Sequence, residues 1–457
     1  LLNAMRVLTD PAETGAVTVA MPQDVQAEVF DWPVEFFRKR VWHVRRPVPE
    51  PAALERAVAL IKAAKRPLII AGGGTIYAGA SEELRALATA TGIPVGDTQA
   101  GKGAINFDHP SAVGGVGSTG CDSGNHIADK ADLIIGVGTR YSDFTTASKT
   151  QFKNPDVKFV NINVTPFDAA KESAEMVVAD AREALTALTE ALADYHVDQA
   201  YSDEITAEKE AWLKATERCY HLDHGPLPAQ TEVFGALNEL MGEEDVVINA
   251  AGSMPGDLQA LWQARSPMQY HVEYAFSCMG YEVPAAMGVK LARPEAEVVS
   301  IVGDGTYQML PMELATVVQE NIKVIYVLLQ NYGFCSIGAL SESHGSQRFG
   351  TKYRQRGEGS HLADEQVIDG VDIAVNARSW GLDVLEVHTI EEFKEAYRKA
   401  EASDRPTMIH IETDLYGPNP PGSSWWDVPV SGVSALESTQ RAYEDYQRDR
   451  KPQRHYL

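Results

Sequence analysis

The stretch from residue 298 to residue 333, VVSIVGDGTYQMLPMELATVVQENIKVIYVLLQNYG, limits the choice of fold most severely. An apolar run, Val298–Val302, ends in Gly303-Asp304-Gly305. Met312, Leu314, Ala315 and Val318 recur at helical spacing within Pro311–Glu320, and a second apolar run, Val324–Leu329, ends in Gln330-Asn331-Tyr332-Gly333. This pattern predicts a strand–helix–strand unit, and two parallel strands joined in this way end on the same edge of their sheet. Asp304 and Asn331 are therefore expected to meet in space. A carboxylate beside an amide oxygen suits a hard divalent cation such as Mg²⁺, which takes oxygen ligands and leaves room for phosphate. The glycines let the backbone approach a diphosphate, and the start of the following helix favours the anion. Taken alone, the Gly-Asp-Gly run is a common turn; the Asn at the end of the next strand is what gives it meaning.

The chain has 457 residues, enough for two or three domains. Its formal charge of −24 argues against nucleic acid and anionic membrane as partners. No apolar run reaches the length of a membrane span. The four cysteines, Cys121, Cys219, Cys278 and Cys335, are scattered without a paired motif, which fits a reducing cytoplasm and gives no sign of zinc.

Alternating helical and strand patterns predict an α/β fold with two parallel-sheet domains and a remnant of a third. Residues 1–28 read as the end of that third domain, with a helix at Leu1–Leu8 and a strand at Ala16–Ala20. Residues 29–51, rich in Trp, Arg and Pro, read as a linker. Residues 52–193 form the central domain. It opens with a helix at Ala52–Ala64, and its strands are expected at Leu68–Ala71, Ile93–Val95, Leu133–Val137, Val157–Asn163 and Met176–Val178. A helix at Ser81–Thr91 has Ser81 as its expected N-cap. Gly72-Gly73-Gly74 follows the first strand, but Tyr77 stands where a dinucleotide fingerprint needs its third glycine, which disfavours a nicotinamide dehydrogenase. Residues 194–225 read as a connector, helical over Ala207–Arg218, residues 226–415 as the last domain and residues 416–457 as a tail.

Upstream of the first strand, Met287-Gly288, five residues, Pro294 and four residues lead into VSIVGDG. With Asn331, this resembles the signature of thiamine-diphosphate-dependent enzymes of the acetolactate synthase type. Thr306 departs from it, standing where a smaller residue is usual, though it keeps a hydroxyl and a backbone N–H. The segments RPLIIAGGG, GKGAINFDHP, ADLIIGVGTRYSD and VKFVNINVTP resemble the central domain of the same family. In some members that domain binds FAD and in others nothing, and the segments fit both.

The resemblance implies thiamine diphosphate held through Mg²⁺, with Asp304, Asn331 and the carbonyl of Gly333 as metal ligands. Gly252, Ser253 and Met254 would face the diphosphate, with Gly303, Gly305 and Thr306 opposite. In Ala275-Phe276-Ser277-Cys278-Met279-Gly280, Met279 would be the apolar wedge that bends the cofactor, and the Ser277 carbonyl and Met279 N–H would meet its pyrimidine ring. Without these neighbours, a Met in an apolar stretch would read as core packing. The family's ring-protonating Glu has no match here, because Pro22-Gln23-Asp24-Val25 matches the end of the pyrimidine-binding domain. The resemblance thus implies that most of that domain is absent from this chain, that the chain alone is inactive, and that the protein is a homodimer or homotetramer with its active site between subunits.

FCSIGALSESHGSQRFGTKYR and WWDVPVSGVS look most like family members that hydrolyse a C–C bond in a small polyol-derived cyclic diketone. An acetolactate synthase or 2-oxo-acid decarboxylase is the alternative, and an inert thiamine-diphosphate-binding fragment is a second. The polar stretch Ser336–Ser360 is expected to carry substrate contacts, with His344 placing a water or moving a proton. Trp425 and Trp426 are expected to pack over the active site or a partner subunit.

Overall fold

The strand runs of this chain are short and apolar on both faces, and such strands are stable only where helices cover a sheet from both sides. The computed structural model, which describes residues 1–274, 276–356, 362–367 and 371–454, has two sheets of this kind. The first contains β1 (Pro67–Ala71), β2 (Val95–Asp97), β3 (Ala112–Gly115), β4 (Leu133–Val137), β5 (Lys158–Asn163) and β6 (Glu175–Val178), in the order β3-β2-β1-β4-β5-β6. The second contains β7 (Val246–Asn249), β8 (Tyr270–Val272), β9 (Val298–Gly303) and β10 (Ile325–Gln330). A separate antiparallel pair, β11 (Arg354–Arg356) and β12 (Leu362–Val367), precedes its last strands, β13 (Asp383–Val387) and β14 (Thr407–Glu412). Its order is β13-β14-β10-β9-β7-β8, and every pairing in both six-stranded sheets is parallel. The expected α/β class with two parallel-sheet domains is what the structure shows.

The two sheets are locked together along one seam. Trp212, on the long helix Gln199–Tyr220, donates its indole N–H to the Ala260 carbonyl at 2.8 Å. The Gln259 amide donates to the Val116 carbonyl at 3.3 Å, and the Gln99 amide to the Pro255 carbonyl at 2.9 Å. No helix among the described residues is long and apolar enough to cross a membrane.

Several sequence expectations change. Ala16–Ala20 is not a strand: no described strand runs beside it, and a lone strand leaves its backbone groups unpaired. Ser81 is the first helical residue, the N-cap being Ala80, so the buried Ser81 hydroxyl caps nothing. The helix expected over Pro311–Glu320 is Glu313–Gln319, preceded by a separate turn of helix at Asp304–Met309; Met312 is 60% exposed. The polar stretch Ser336–Ser360 is not one loop, since Cys335–Ser343 is a helix and Arg354–Arg356 a strand. Residues 357–361, with Ser360, and Ala275 lie outside the described residues. Neither tail tryptophan lines the pocket described below: the Trp425 ring lies 6.2 Å from that of Tyr446 on the tail helix, and Trp426 packs on the central domain. Trp426 donates to Asp143 Oδ2 at 2.7 Å, and its ring lies 5.1 Å from that of Phe144.

Candidate active site

In the second sheet the chain moves from β7 outward to β8, then returns to β9 on the other side of β7. Such a reversal leaves a crevice at the carboxyl ends of the strands, where open α/β sheets bind ligands. A pocket opens there, and its lining gathers residues from five segments. The turn after β7 brings Gly252, Ser253 and Met254, and the loop before the helix Glu282–Ala292 brings Ser277 and Met279. The end of β9 brings Gly303, Asp304, Gly305 and Thr306, and the end of β10 brings Asn331 and Gly333. Register explains the meeting of the last two groups, since Gly303 pairs with Leu329 and the next residues leave the sheet together.

Asp304 is 1% exposed. Its Oδ1 accepts from the Gly305 N–H at 2.7 Å, and its Oδ2 from the N–H groups of Asn331 at 3.2 Å and Tyr332 at 2.7 Å. Tyr332 adopts φ +58°, a left-handed conformation that costs a non-glycine residue energy and that aims its amide at the carboxylate. Burial pushes the Asp304 carboxyl up to about 6, and the amides of residues 305, 332, 331 and 333 oppose that rise. Beside it, Asn331 Oδ1 is buried without a hydrogen-bond partner among the described residues. A buried orphan oxygen costs about 1–3 kcal/mol, and a cation would remove that cost. Asp304 with this oxygen therefore fits an oxygen-loving divalent ion. No cluster of three His, Cys, Asp or Glu that could hold a metal occurs among the described residues, so the remaining ligands would be backbone oxygens, phosphate and water.

Two glycines at this edge, Gly252 and Gly303, leave space, whereas a Cβ on Gly305 would lie 2.9 Å from the Phe334 ring. A Cβ added to Gly252 would meet nothing within 4 Å, and one added to Gly303 would meet only Met254 Cε at 3.5 Å. Gly252 has φ +92°, which favours glycine as well. Gln230 also lines the pocket and was not foreseen, because only the fold brings the start of its helix here. Its amide donates to Asp257 Oδ2, and its oxygen accepts from the Ser253 hydroxyl at 3.1 Å. Phe334, Cys335, Ser336 and Ile337 close the far wall.

His344 is not brought to this pocket. It follows the helix Cys335–Ser343, whose first residues line the pocket and whose last turn leads away from it. The imidazole Nδ1 lies 2.8 Å from the Leu340 carbonyl, and His344 faces a different cleft with Trp425, Arg441 and Tyr446.

The central sheet has its own reversal between β1 and β4, and a broad cleft there is lined by Gly72, Gly73, Gly74 and Gly138. These glycines are crowded. A Cβ on Gly72 would overlap the Gly138 carbonyl, and one on Gly74 would lie 2.7 Å from Gly138 Cα.

Two family models match the chain: the central domain of thiamine pyrophosphate enzymes over residues 54–188, and their C-terminal, thiamine-pyrophosphate-binding domain over residues 250–411. The chain is 43% identical over 468 aligned positions to a 3D-(3,5/4)-trihydroxycyclohexane-1,2-dione hydrolase of Bacillus cereus strain AH820, covering 97% of this chain and 72% of that protein. It is 44% identical, with the same coverage, to 3D-(3,5/4)-trihydroxycyclohexane-1,2-dione hydrolase 2 of a second Bacillus cereus strain. A Bacillus thuringiensis (strain Al Hakam) protein of that name is 43% identical over 97% of the chain and 72% of its own length. The chain therefore belongs to the thiamine-pyrophosphate-dependent enzymes, in the family of the 3D-(3,5/4)-trihydroxycyclohexane-1,2-dione hydrolases.

Proposed function

We propose that the full protein hydrolyses the ring of 3D-(3,5/4)-trihydroxycyclohexane-1,2-dione, a polyol-derived cyclic diketone of inositol catabolism, to a 5-deoxy-glucuronate. Thiamine diphosphate and Mg²⁺ would occupy the pocket at the ends of β9 and β10. One observation carries this reading: buried Asp304 and the unpaired Asn331 oxygen line a crevice in which Gly252 and Gly303 leave room for a ligand. When bound, thiamine diphosphate supplies a carbon nucleophile for a carbonyl and an electron sink for the neighbouring C–C bond as it breaks.

The chain's own residues bind and orient. Asp304, Asn331 and the Gly333 carbonyl hold Mg²⁺, while Gly252, Ser253, Met254, Gly303, Gly305 and Thr306 face the diphosphate. Met279 would be the apolar support for the cofactor, and its N–H and the Ser277 carbonyl would meet the pyrimidine ring. Ring opening adds one water across the cleaved bond, so the closed site must admit that molecule. His344 faces another cleft and is assigned no step. A homodimer or homotetramer, with the site completed between subunits, is part of this reading. FAD is not needed for a hydrolysis, which transfers no net electrons.

Incubating the full-length enzyme, thiamine diphosphate and Mg²⁺ with the cyclic dione tests the proposal. One open-chain deoxy-uronate per ring consumed is the expected product. Condensation of two pyruvates with no attack on the dione would assign the pocket to an acetolactate synthase instead.

A further inference from the structure

Glu282 is a buried acid beside the pocket with no role so far. It is the first residue of the helix Glu282–Ala292, three places after Met279, and its exposure is 0%. Its Oε2 accepts from the Gly280 N–H at 3.1 Å, while Oε1 is buried without a hydrogen-bond partner among the described residues. Burial pushes the carboxyl up to about 7, opposed by the amides of residue 282 itself, Ala251 and Gly280 and by the Thr306 side chain. From below, the Ser300 hydroxyl of β9 donates to the Glu282 carbonyl at 3.0 Å and fixes the residue against the sheet.

The Gly280 amide is the one hydrogen-bond partner of this carboxyl among the described residues, and the groups that influence its charge come from three segments that face the pocket. Ala251 begins the turn that carries Gly252, Ser253 and Met254, Gly280 follows Met279, and Thr306 lies on the segment that carries Asp304. Gly280 is itself held in place: φ is +91°, and a Cβ there would lie 2.6 Å from Leu310 Cβ. One residue further on, the Tyr281 hydroxyl is 2.7 Å from His271 Nε2 of β8, a second anchor for the same loop. A short loop carrying a wedge needs such anchors, because a site about 1 Å too loose loses its geometry. Charge sets a further condition. An ionised carboxylate here would add a buried negative charge near a pocket proposed to take an anionic diphosphate, whereas a neutral acid adds none.

We propose that Glu282 is a positioning residue that holds the Met279 loop through Gly280, is itself anchored on β9 by Ser300, and so fixes the shape of the cofactor pocket. This rests on the cofactor reading above. A neutral group with an acceptor oxygen does the same work, so Gln replaces Glu282 and Ala does not.

The test uses the full-length protein as wild type, Glu282→Gln and Glu282→Ala, titrated with thiamine diphosphate in Mg²⁺ and then assayed on the dione at saturating cofactor. Glu282→Ala is expected to weaken cofactor binding about 10-fold and to lower kcat, leaving KM for the dione within about twofold. Glu282→Gln is expected within about threefold of wild type throughout. Should Glu282→Ala fail to fold, Glu282→Asp, one methylene short of Gly280, replaces it with the same expected loss. Wild-type cofactor binding with an unaffected Ala or Asp variant overturns this inference alone. A Gln variant as impaired as Ala also overturns it, since the charge would then be required. If the wild type binds no cofactor, the proposed function falls and takes this inference with it.

Discussion

The two sheets have the same strand number and are both wholly parallel, though their strand orders differ, and both reverse their winding beside a glycine-rich turn. Their glycines differ in purpose. Gly72 and Gly74 press against Gly138, so they are needed for the two turns to pass each other. Gly303 and Gly252 press against almost nothing, and the space beside them is the pocket. Chemistry separates the edges further: the β9 and β10 ends hold a buried carboxylate and an unpaired amide oxygen, whereas the β1 end is followed by Gly72, Gly73 and Gly74.

Each prediction strains one side of that contrast. Short of removing Asp304 itself, the largest effect is expected from Asn331→Ala, which removes the unpaired oxygen; Mg²⁺-dependent affinity for thiamine diphosphate should fall about 100-fold by calorimetry, about 2.7 kcal/mol. The paired variants Gly303→Ala and Gly72→Ala should then fail in different assays. At Gly303 the melting temperature should hold while cofactor affinity falls about 10-fold, because the methyl group enters the pocket. At Gly72 stability should drop by about 1–3 kcal/mol through overpacking, read by urea unfolding. An equal stability loss in both would erase the distinction.

A pH effect of similar size follows from Asp304. Its carboxyl is raised to about 6, and only the ionised form ligates a metal. Cofactor affinity in Mg²⁺ should therefore fall about 10-fold between pH 7 and pH 5. The sign reverses for the metal-free protein. Folding raises this pKa, so the folded state holds the proton more tightly, and the group's contribution to stability is lost as pH rises through about 6. His344→Ala should have the smallest effect, with cofactor affinity within about twofold of wild type, since the ring faces a separate cleft.

Much of this was legible before any coordinates. Each residue assigned to cofactor or metal lines the one pocket, because strand ends in a parallel sheet converge by topology and short motifs mark those ends. What was missed lacked such marks. β3 reads Ala-Val-Gly-Gly, a turn by composition, and β8 has three residues. β13, Asp-Val-Leu-Glu-Val, is an edge strand with acidic side chains. His344 shows the limit of composition: a polar stretch near a motif suggests function, but the helix Cys335–Ser343 sets its direction and carries the imidazole away. The tail tryptophans needed partners, as their size requires: Trp426 found them on the central domain at Asp143 and Phe144, and Trp425 on the tail helix at Tyr446.

Titrating thiamine diphosphate into the full-length protein and its Asp304→Ala variant, each with Mg²⁺ and with EDTA, tests the central claim most directly. Tight binding is expected only for the wild type with Mg²⁺, and the variant should keep its fold but no longer respond to the metal. Undiminished, Mg²⁺-dependent binding by Asp304→Ala would contradict it.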